Sequence, residues 1–144
     1  MAYAVQIHAT GGPEVLTYED IEVAEPGAGE VLLRQHAIGI NFIDIYHRNG
    51  LYKLPELPAV LGSEGAGEVI AVGPGVDTFK VGDRAAYGSA IGAYAEIRRV
   101  PADKLVKLPD GIDYDTAAAM MLQGMTARYL LRETFRVGPE TTLL

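Results

Sequence analysis

The sequence predicts a mainly β fold with a few helices, arranged as a closed or partly open β-barrel. Glycine and proline, 17 and 8 of the 144 residues, punctuate the first two-thirds of the chain and separate short β-rich segments. Many short strands divided by such turns are typical of barrels. Near Asp110 the pattern changes to helical spacing, so helices follow the strands.

The predicted strands come first along the chain. They cover residues 4–8, 15–23, 30–40, 67–72, 85–87 and 93–100. Turns rich in glycine and proline separate them at 12–13, 26–29, 73–75 and 81–84. The apolar residues of 30–40 fall on one side, as expected for a strand with one face in the core.

A short helix is predicted directly after the strand 30–40. Asn41 is a natural N-cap and Asp44 lies in the first turn. Phe42 and Tyr46 are one helical turn apart, and this spacing by itself favours packing in the core. Tyr46 and Tyr52 also place two phenols near one another, and phenols can stack on flat rings and donate a hydrogen bond.

The last part of the chain is predicted to be helical. Residues 113–116 offer a helix cap and first-turn carboxylates, and the apolar residues 117–122 continue the helix. Gln123 and Gly124 are expected to break it, after which 125–135 resumes with helical spacing. A further strand is expected to begin at Thr141.

Composition excludes several classes of protein. Twelve Lys and Arg against 19 Asp and Glu give a net charge of −7, which argues against nucleic acid or an anionic membrane as a main partner. The absence of cysteine excludes disulfides, thiolate metal sites and a cysteine nucleophile. Neither a membrane-length apolar segment nor a signal peptide is recognisable, so a cytoplasmic location is expected.

Common catalytic motifs are incomplete. Gly65 and Gly67 would need a third glycine where Ile70 stands, so they do not form a dinucleotide fingerprint. Neither Ser63 nor Ser89 lies in a G-x-S-x-G nucleophile motif. The three histidines, His8, His36 and His47, are scattered and lack helical i, i+4 spacing, so no metal site is predicted.

The order of the segments resembles a known family, the zinc-free quinone oxidoreductase (zeta-crystallin-like) branch of the medium-chain dehydrogenase/reductase superfamily. The resemblance is carried by residues 11–16, 37–44, 48–52, 58–64, 65–69, 81–87, 92–96, 122–127 and 129–131. It covers nearly the whole chain, and the order of the motifs is more specific than any one of them.

This resemblance implies a GroES-like catalytic domain, here its N-terminal portion, over 1–123. A linking helix and the start of a truncated Rossmann cofactor domain follow over 124–144. The zinc alcohol dehydrogenases of the superfamily have a ligating Cys where Asn41 stands and a ligating His where Ser63 stands. The resemblance therefore implies chemistry without a metal, in a full-length enzyme that forms a homodimer. The 144-residue chain alone is expected to be inactive.

The activity implied is hydride transfer from NADPH to a quinone. By resemblance, the cofactor-binding residues are Asn41, Phe42, Asp44, Tyr46, Thr126 and Tyr129, and the catalytic candidates at the quinone wall are Tyr46 and Tyr52. Gln123 replaces a lysine of some relatives. Arg48 is interpreted either as attracting an acidic or quinone oxygen or as a solvated helix arginine.

Two alternatives stay open at this point. One is a reductase of enones or enoyl thioesters on the same scaffold. The other is a β-barrel binding module without catalytic activity.

Overall fold

The computed structural model describes residues 1–142 and shows two antiparallel sheets. The strands are β1 (Ala2–Ile7), β2 (Leu16–Ile21), β3 (Glu30–Gly39), β4 (Ala59–Val60), β5 (Glu64–Val72), β6 (Arg84–Tyr87), β7 (Ile97–Pro101) and β8 (Val106–Lys107). One sheet has the order β2-β1-β4 and the other β7-β3-β5-β6-β8. The sheets do not close into one ring, so the predicted partly open barrel is confirmed.

The strand β3 lies at the centre of the larger core. It pairs with β5 on one side and β7 on the other, and its alternate residues Val31 and Leu33 are fully buried. Val69, Tyr87 and Val100 from the neighbouring strands pack into the same cluster. The period-2 alternation of β3 thus directs one face into the core, as the sequence predicts.

Two α-helices flank the sheets, α1 (Phe42–Arg48) and α2 (Tyr114–Tyr129). The first half of α2 packs on the five-stranded sheet through small side chains, with Ala117 and Ala118 against Ala66 and Ala86. Gly39, at the end of β3, permits this approach, because a Cβ there would lie 2.4 Å from the Ala118 carbonyl oxygen. The helix therefore crosses close to the point where β3 leads into α1.

The predicted helix break at Gln123 and Gly124 is wrong, because α2 runs through both residues. One glycine in a helix interior costs only about 1 kcal/mol relative to alanine. This cost is too small to interrupt the sixteen-residue helix. The predicted cap is confirmed, since the Asp113 carboxylate accepts a hydrogen bond of 2.7 Å from the Thr116 amide. A π-helical segment, Leu130–Thr134, follows α2 in place of further α-helix.

Several strand bounds also differ from the prediction. The strand β5 begins at Glu64, three residues earlier than predicted, and β7 begins only at Ile97. The two-residue strands β4 and β8 and the 3-10 helices Pro13–Val15 and Ala102–Lys104 are too short for a periodic signal. The strand predicted from Thr141 is not formed at Thr141 and Thr142, and its remaining residues lie outside those described.

Neither α2 nor any other helix within residues 1–142 combines the length and the apolar character that a membrane crossing needs.

Candidate active site

The site is built on the turn that joins β3 to α1. Asn41 is the N-cap of α1, as predicted, and its backbone amide donates to the Asp44 carboxylate over 2.9 Å. This capping bond fixes the direction in which the chain enters the helix. Both residues are buried, Asn41 at 7% and Asp44 at 4% exposure.

Asp44 joins three separate segments of the chain. Its carboxylate accepts from the Asn41 backbone amide, from the Ser63 hydroxyl over 3.1 Å and from the Tyr94 hydroxyl over 2.8 Å. Burial, and next the hydrogen bond to the Asp44 carboxylate, raise the pKa of Tyr94 far above its ordinary value. The phenol therefore stays a neutral donor to Asp44 at physiological pH.

Glu64 forms the second centre of the network. It is 1% exposed and accepts from the Asn41 side-chain amide over 2.8 Å and from the Leu122 backbone amide over 2.7 Å. Gln123 adds a longer contact of 3.4 Å to the Asn41 side-chain oxygen. Asn41 is thus held between β5 and α2. We call Asn41, Asp44, Ser63, Glu64 and Tyr94 the polar network.

An aromatic cluster lies on the other face of α1, formed by Phe42, Tyr46 and Tyr52. The ring centroids of Phe42 and Tyr46 are 5.4 Å apart, those of Tyr46 and Tyr52 are 5.3 Å apart, and both pairs meet edge to face. Phe42 is 70% exposed and Tyr46 is half-buried. The interpretation of these two rings as core residues is therefore wrong, because α1 buries Asp44 and His47 in their place.

The two predicted residues on α2 lie in its exposed second half. The Thr126 hydroxyl donates to the Leu122 carbonyl over 2.8 Å, and Tyr129 is 60% exposed. The structure brings Gln123 of this helix to Asn41 and leaves Thr126 and Tyr129 one and two turns further along. The assignment of these residues to a cofactor, like that of Asn41, Phe42, Asp44 and Tyr46, stays a prediction.

Two cavities flank the turn between β3 and α1. The larger has a volume of about 550 Å³, with an apolar wall that includes Ile38, Ile40, Ile45 and Leu61. Four polar residues complete this lining: Asn41, Asp44, Arg48 and Tyr94. The smaller cavity, about 400 Å³, lies beside Gly39, Glu64 and Gln123. Tyr46 and Tyr52 belong to neither lining.

Sequence reasoning missed Glu64 and Tyr94. A signal for Glu64 exists in the sequence, because the other residues of 61–67 are small or apolar and carry no charge. A glutamate in such a run needs buried partners and so indicates an internal hydrogen-bond network. Tyr94 carries no comparable signal, since its contact with Asp44 spans fifty positions of the chain.

Comparison with known proteins identifies the class. Residues 27–110 match the alcohol dehydrogenase GroES-like domain, which is more than half of the chain. The chain therefore belongs to this family. Its fold is that of the barrel domain that the resemblance predicts.

Individual relatives narrow the likeness further. A quinone oxidoreductase of Pseudomonas aeruginosa is 58% identical over 99% of this chain and 45% of its own length. A 2-haloacrylate reductase of a Burkholderia species is 46% identical over 96% of the chain and 44% of its own length. The crystal structure of Escherichia coli quinone oxidoreductase complexed with NADPH has a TM-score of 0.94 and 46% identity, over 96% of this chain and 43% of that one.

The predicted membership in the quinone oxidoreductase branch of the medium-chain dehydrogenase/reductase superfamily is confirmed by these relatives. The chain spans less than half of the length of each of them.

Proposed function

We propose that the full-length protein containing this chain is a zinc-independent reductase that transfers hydride from NADPH to a quinone. The names of the quinone oxidoreductase relatives and the NADPH complex of one of them support the proposal. We propose further that the enzyme is a cytoplasmic homodimer.

The observation that carries the proposal is how Asn41 is held. By the family resemblance, Asn41 and Ser63 stand where zinc alcohol dehydrogenases have ligating Cys and His. Here the Asn41 side-chain amide donates to Glu64 and accepts from Gln123. The Ser63 hydroxyl donates to Asp44. Amide and hydroxyl oxygens are much weaker zinc ligands than thiolate or imidazole. These residues therefore organise the centre through hydrogen bonds.

The surface beside Asn41 fits a flat, amphipathic ring. Ile40 is 82% exposed and Phe42 is 70% exposed, so an apolar face flanks the buried amide. The Thr126 hydroxyl uses its hydrogen on the Leu122 carbonyl, which leaves its oxygen as an acceptor for an amide N–H. NADPH bound there would supply the hydride, while Asn41, Phe42, Asp44, Tyr46, Thr126 and Tyr129 would hold its nicotinamide end.

The aromatic cluster suits the acceptor. Its three rings form an apolar surface beside α1, and Tyr52 is 48% exposed. A Tyr46 or Tyr52 hydroxyl can donate to the oxygen on which negative charge develops during reduction. Protons for the quinol oxygens can come from water, so these phenols act as hydrogen-bond donors and need not give up a proton.

Oxidation of NADPH by 1,4-naphthoquinone tests the proposal, measured on the full-length protein before and after dialysis against EDTA. Turnover unchanged after dialysis is expected. Metal analysis that finds one zinc per chain, together with loss of turnover on its removal, would contradict zinc independence.

A second candidate function is the reduction of activated alkenes. It is favoured by the 2-haloacrylate reductase relative, which is 46% identical, and by the crystal structure of a 2-haloacrylate reductase with a TM-score of 0.84. Comparing kcat/KM for 2-chloroacrylate and for 1,4-naphthoquinone distinguishes the two activities. If neither compound supports NADPH oxidation, a binding module without catalytic activity would be favoured.

A further inference from the structure

We propose that Arg48 makes the larger cavity an anion-binding subsite, apart from the aromatic cluster, which takes ligands that combine an apolar body with a carboxylate or sulfonate. That such a ligand is also reduced rests on the proposed function. The binding preference itself rests on the cavity and on Arg48.

The cavity has the size and polarity of a small-molecule site. Its volume of about 550 Å³ lies within the range of ligand pockets. Its lining is mostly aliphatic and comes from distant segments, with Val5 from β1, Ile38 from β3, Ile45 from α1 and Leu61 from the segment before β5. An apolar body of one or two rings therefore suits this space.

Arg48 brings an uncompensated cation to the lining of this cavity. It is the last residue of α1, and its carbonyl accepts a hydrogen bond of 3.0 Å from the Gly11 amide, which pins the backbone. Its Nε atom is buried and lacks a hydrogen-bond partner. Among residues 1–142, no carboxylate lies within ion-pair distance of its guanidinium. Buried donors without a partner are rare, and a ligand is one explanation of them.

The one carboxylate on the same lining is already committed. Asp44 accepts hydrogen bonds from the Asn41 amide, Ser63 and Tyr94. Arg48 thus has no ion-pair partner among residues 1–142, and a guanidinium binds a carboxylate or sulfonate through two parallel hydrogen bonds. A solvated helix arginine, the other interpretation of this residue, would keep Nε in water, whereas this Nε is buried.

Calorimetric titration of the full-length protein with 1,4-naphthoquinone-2-sulfonate and with neutral 1,4-naphthoquinone tests the subsite. The variants are Arg48→Gln and Arg48→Lys. Arg34→Gln is the matched control, because it removes the same charge from an exposed position on β3, outside the cavity lining. Thermal unfolding confirms that each variant is folded.

Arg48→Gln should raise the Kd of the sulfonate about ten- to a hundredfold, the effect of losing hydrogen bonds to a charged group. It should change the Kd of the neutral quinone less than threefold. Arg48→Lys should retain part of the sulfonate affinity, and Arg34→Gln should retain all of it. Equal losses in Arg48→Gln and Arg34→Gln, or an unchanged Kd in Arg48→Gln, would overturn the subsite.

NADPH oxidation by the same two compounds separates this inference from the proposed function. Arginine-dependent sulfonate binding without NADPH oxidation would contradict the reductase and support the subsite. Turnover of both compounds with sulfonate binding that is independent of Arg48 would contradict the subsite and support the reductase.

Discussion

Substitution of Asp44 by asparagine should destabilise the protein by about 2–3 kcal/mol, because hydrogen bonds to charged acceptors are worth about 1.5–3 kcal/mol and neutral ones about 0.5–1.5. Asp44 is 4% exposed and accepts hydrogen bonds from the Asn41 amide, Ser63 and Tyr94. The change keeps the shape of the side chain, removes its charge and replaces one acceptor oxygen with an NH₂ donor.

The geometry determines how the new amide is oriented. One carboxylate oxygen accepts from both Asn41 and Tyr94, and the other accepts only from Ser63. The amide oxygen should therefore take the first position. The Ser63 hydroxyl can rotate and accept from the new NH₂ group, which limits the loss on that side. Asp44→Ala offers no acceptor to the three donors and should cost more, about 4 kcal/mol, because each donor left unpaired costs about 1–3 kcal/mol.

Urea unfolding followed by circular dichroism measures the change in free energy of unfolding. Asp20→Asn, at an exposed position on β2, is the matched control and should lie within about 0.5 kcal/mol of the wild type. A free energy of unfolding for Asp44→Asn as close to the wild type as the control would refute the reasoning. The charge of Asp44 would then contribute nothing to joining α1 to the segments of Ser63 and Tyr94.

Three further predictions concern the surroundings of this network. Gly62→Ala should destabilise the protein by about 3 kcal/mol or more, and Gly75→Ala by only about 1–2 kcal/mol. Both glycines have a positive φ, which disfavours a Cβ. A Cβ at Gly62 would also lie 2.2 Å from the Tyr94 ring, whereas nothing lies within 4 Å at Gly75. Equal losses in urea unfolding would refute the steric argument. Because the pKa of Tyr94 is raised by folding, its contribution to stability is complete below the ordinary tyrosine value of about 10 and declines as the pH rises above it. Tyr94→Phe should therefore lose less stability than the wild type between pH 9 and pH 11, and parallel curves would contradict this. Tyr52→Ala should lower quinone turnover of the full-length enzyme and leave the Kd for NADPH nearly unchanged; Tyr52→Phe, which loses at most about a hundredfold in rate if the hydroxyl matters, separates the hydroxyl from the ring. Parallel loss of turnover, NADPH binding and thermal stability would indicate a packing role for Tyr52.

Local patterns in the sequence determined much of the architecture. The alternation within β3 predicted which of its faces is buried, and Asn41 with Asp44 predicted the start of α1, because strand alternation and helix capping depend on neighbouring residues. Asp113 predicted the start of α2 for the same reason. The order of short motifs along the chain was enough to predict the family.

Other features depend on residues that are distant in sequence, so only the tertiary structure decided them. Helical spacing suggested that Phe42 and Tyr46 face the core, but α1 buries Asp44 and His47 instead. The Asp44 carboxylate can be buried there because Ser63 and Tyr94 donate hydrogen bonds to it. The continuity of α2 through Gly124 could not be predicted from the weak helix propensity of glycine.

The polar network shows the same division. The sequence, through its family resemblance, predicts that Asn41 and Ser63 stand where related enzymes have metal ligands. Only the fold showed that Glu64 accepts from both the Asn41 side chain and the Leu122 backbone amide, residues that are 81 positions apart in the chain. Burial of a carboxylate requires donors from several segments, and which segments supply them is set by how the strands and helices pack.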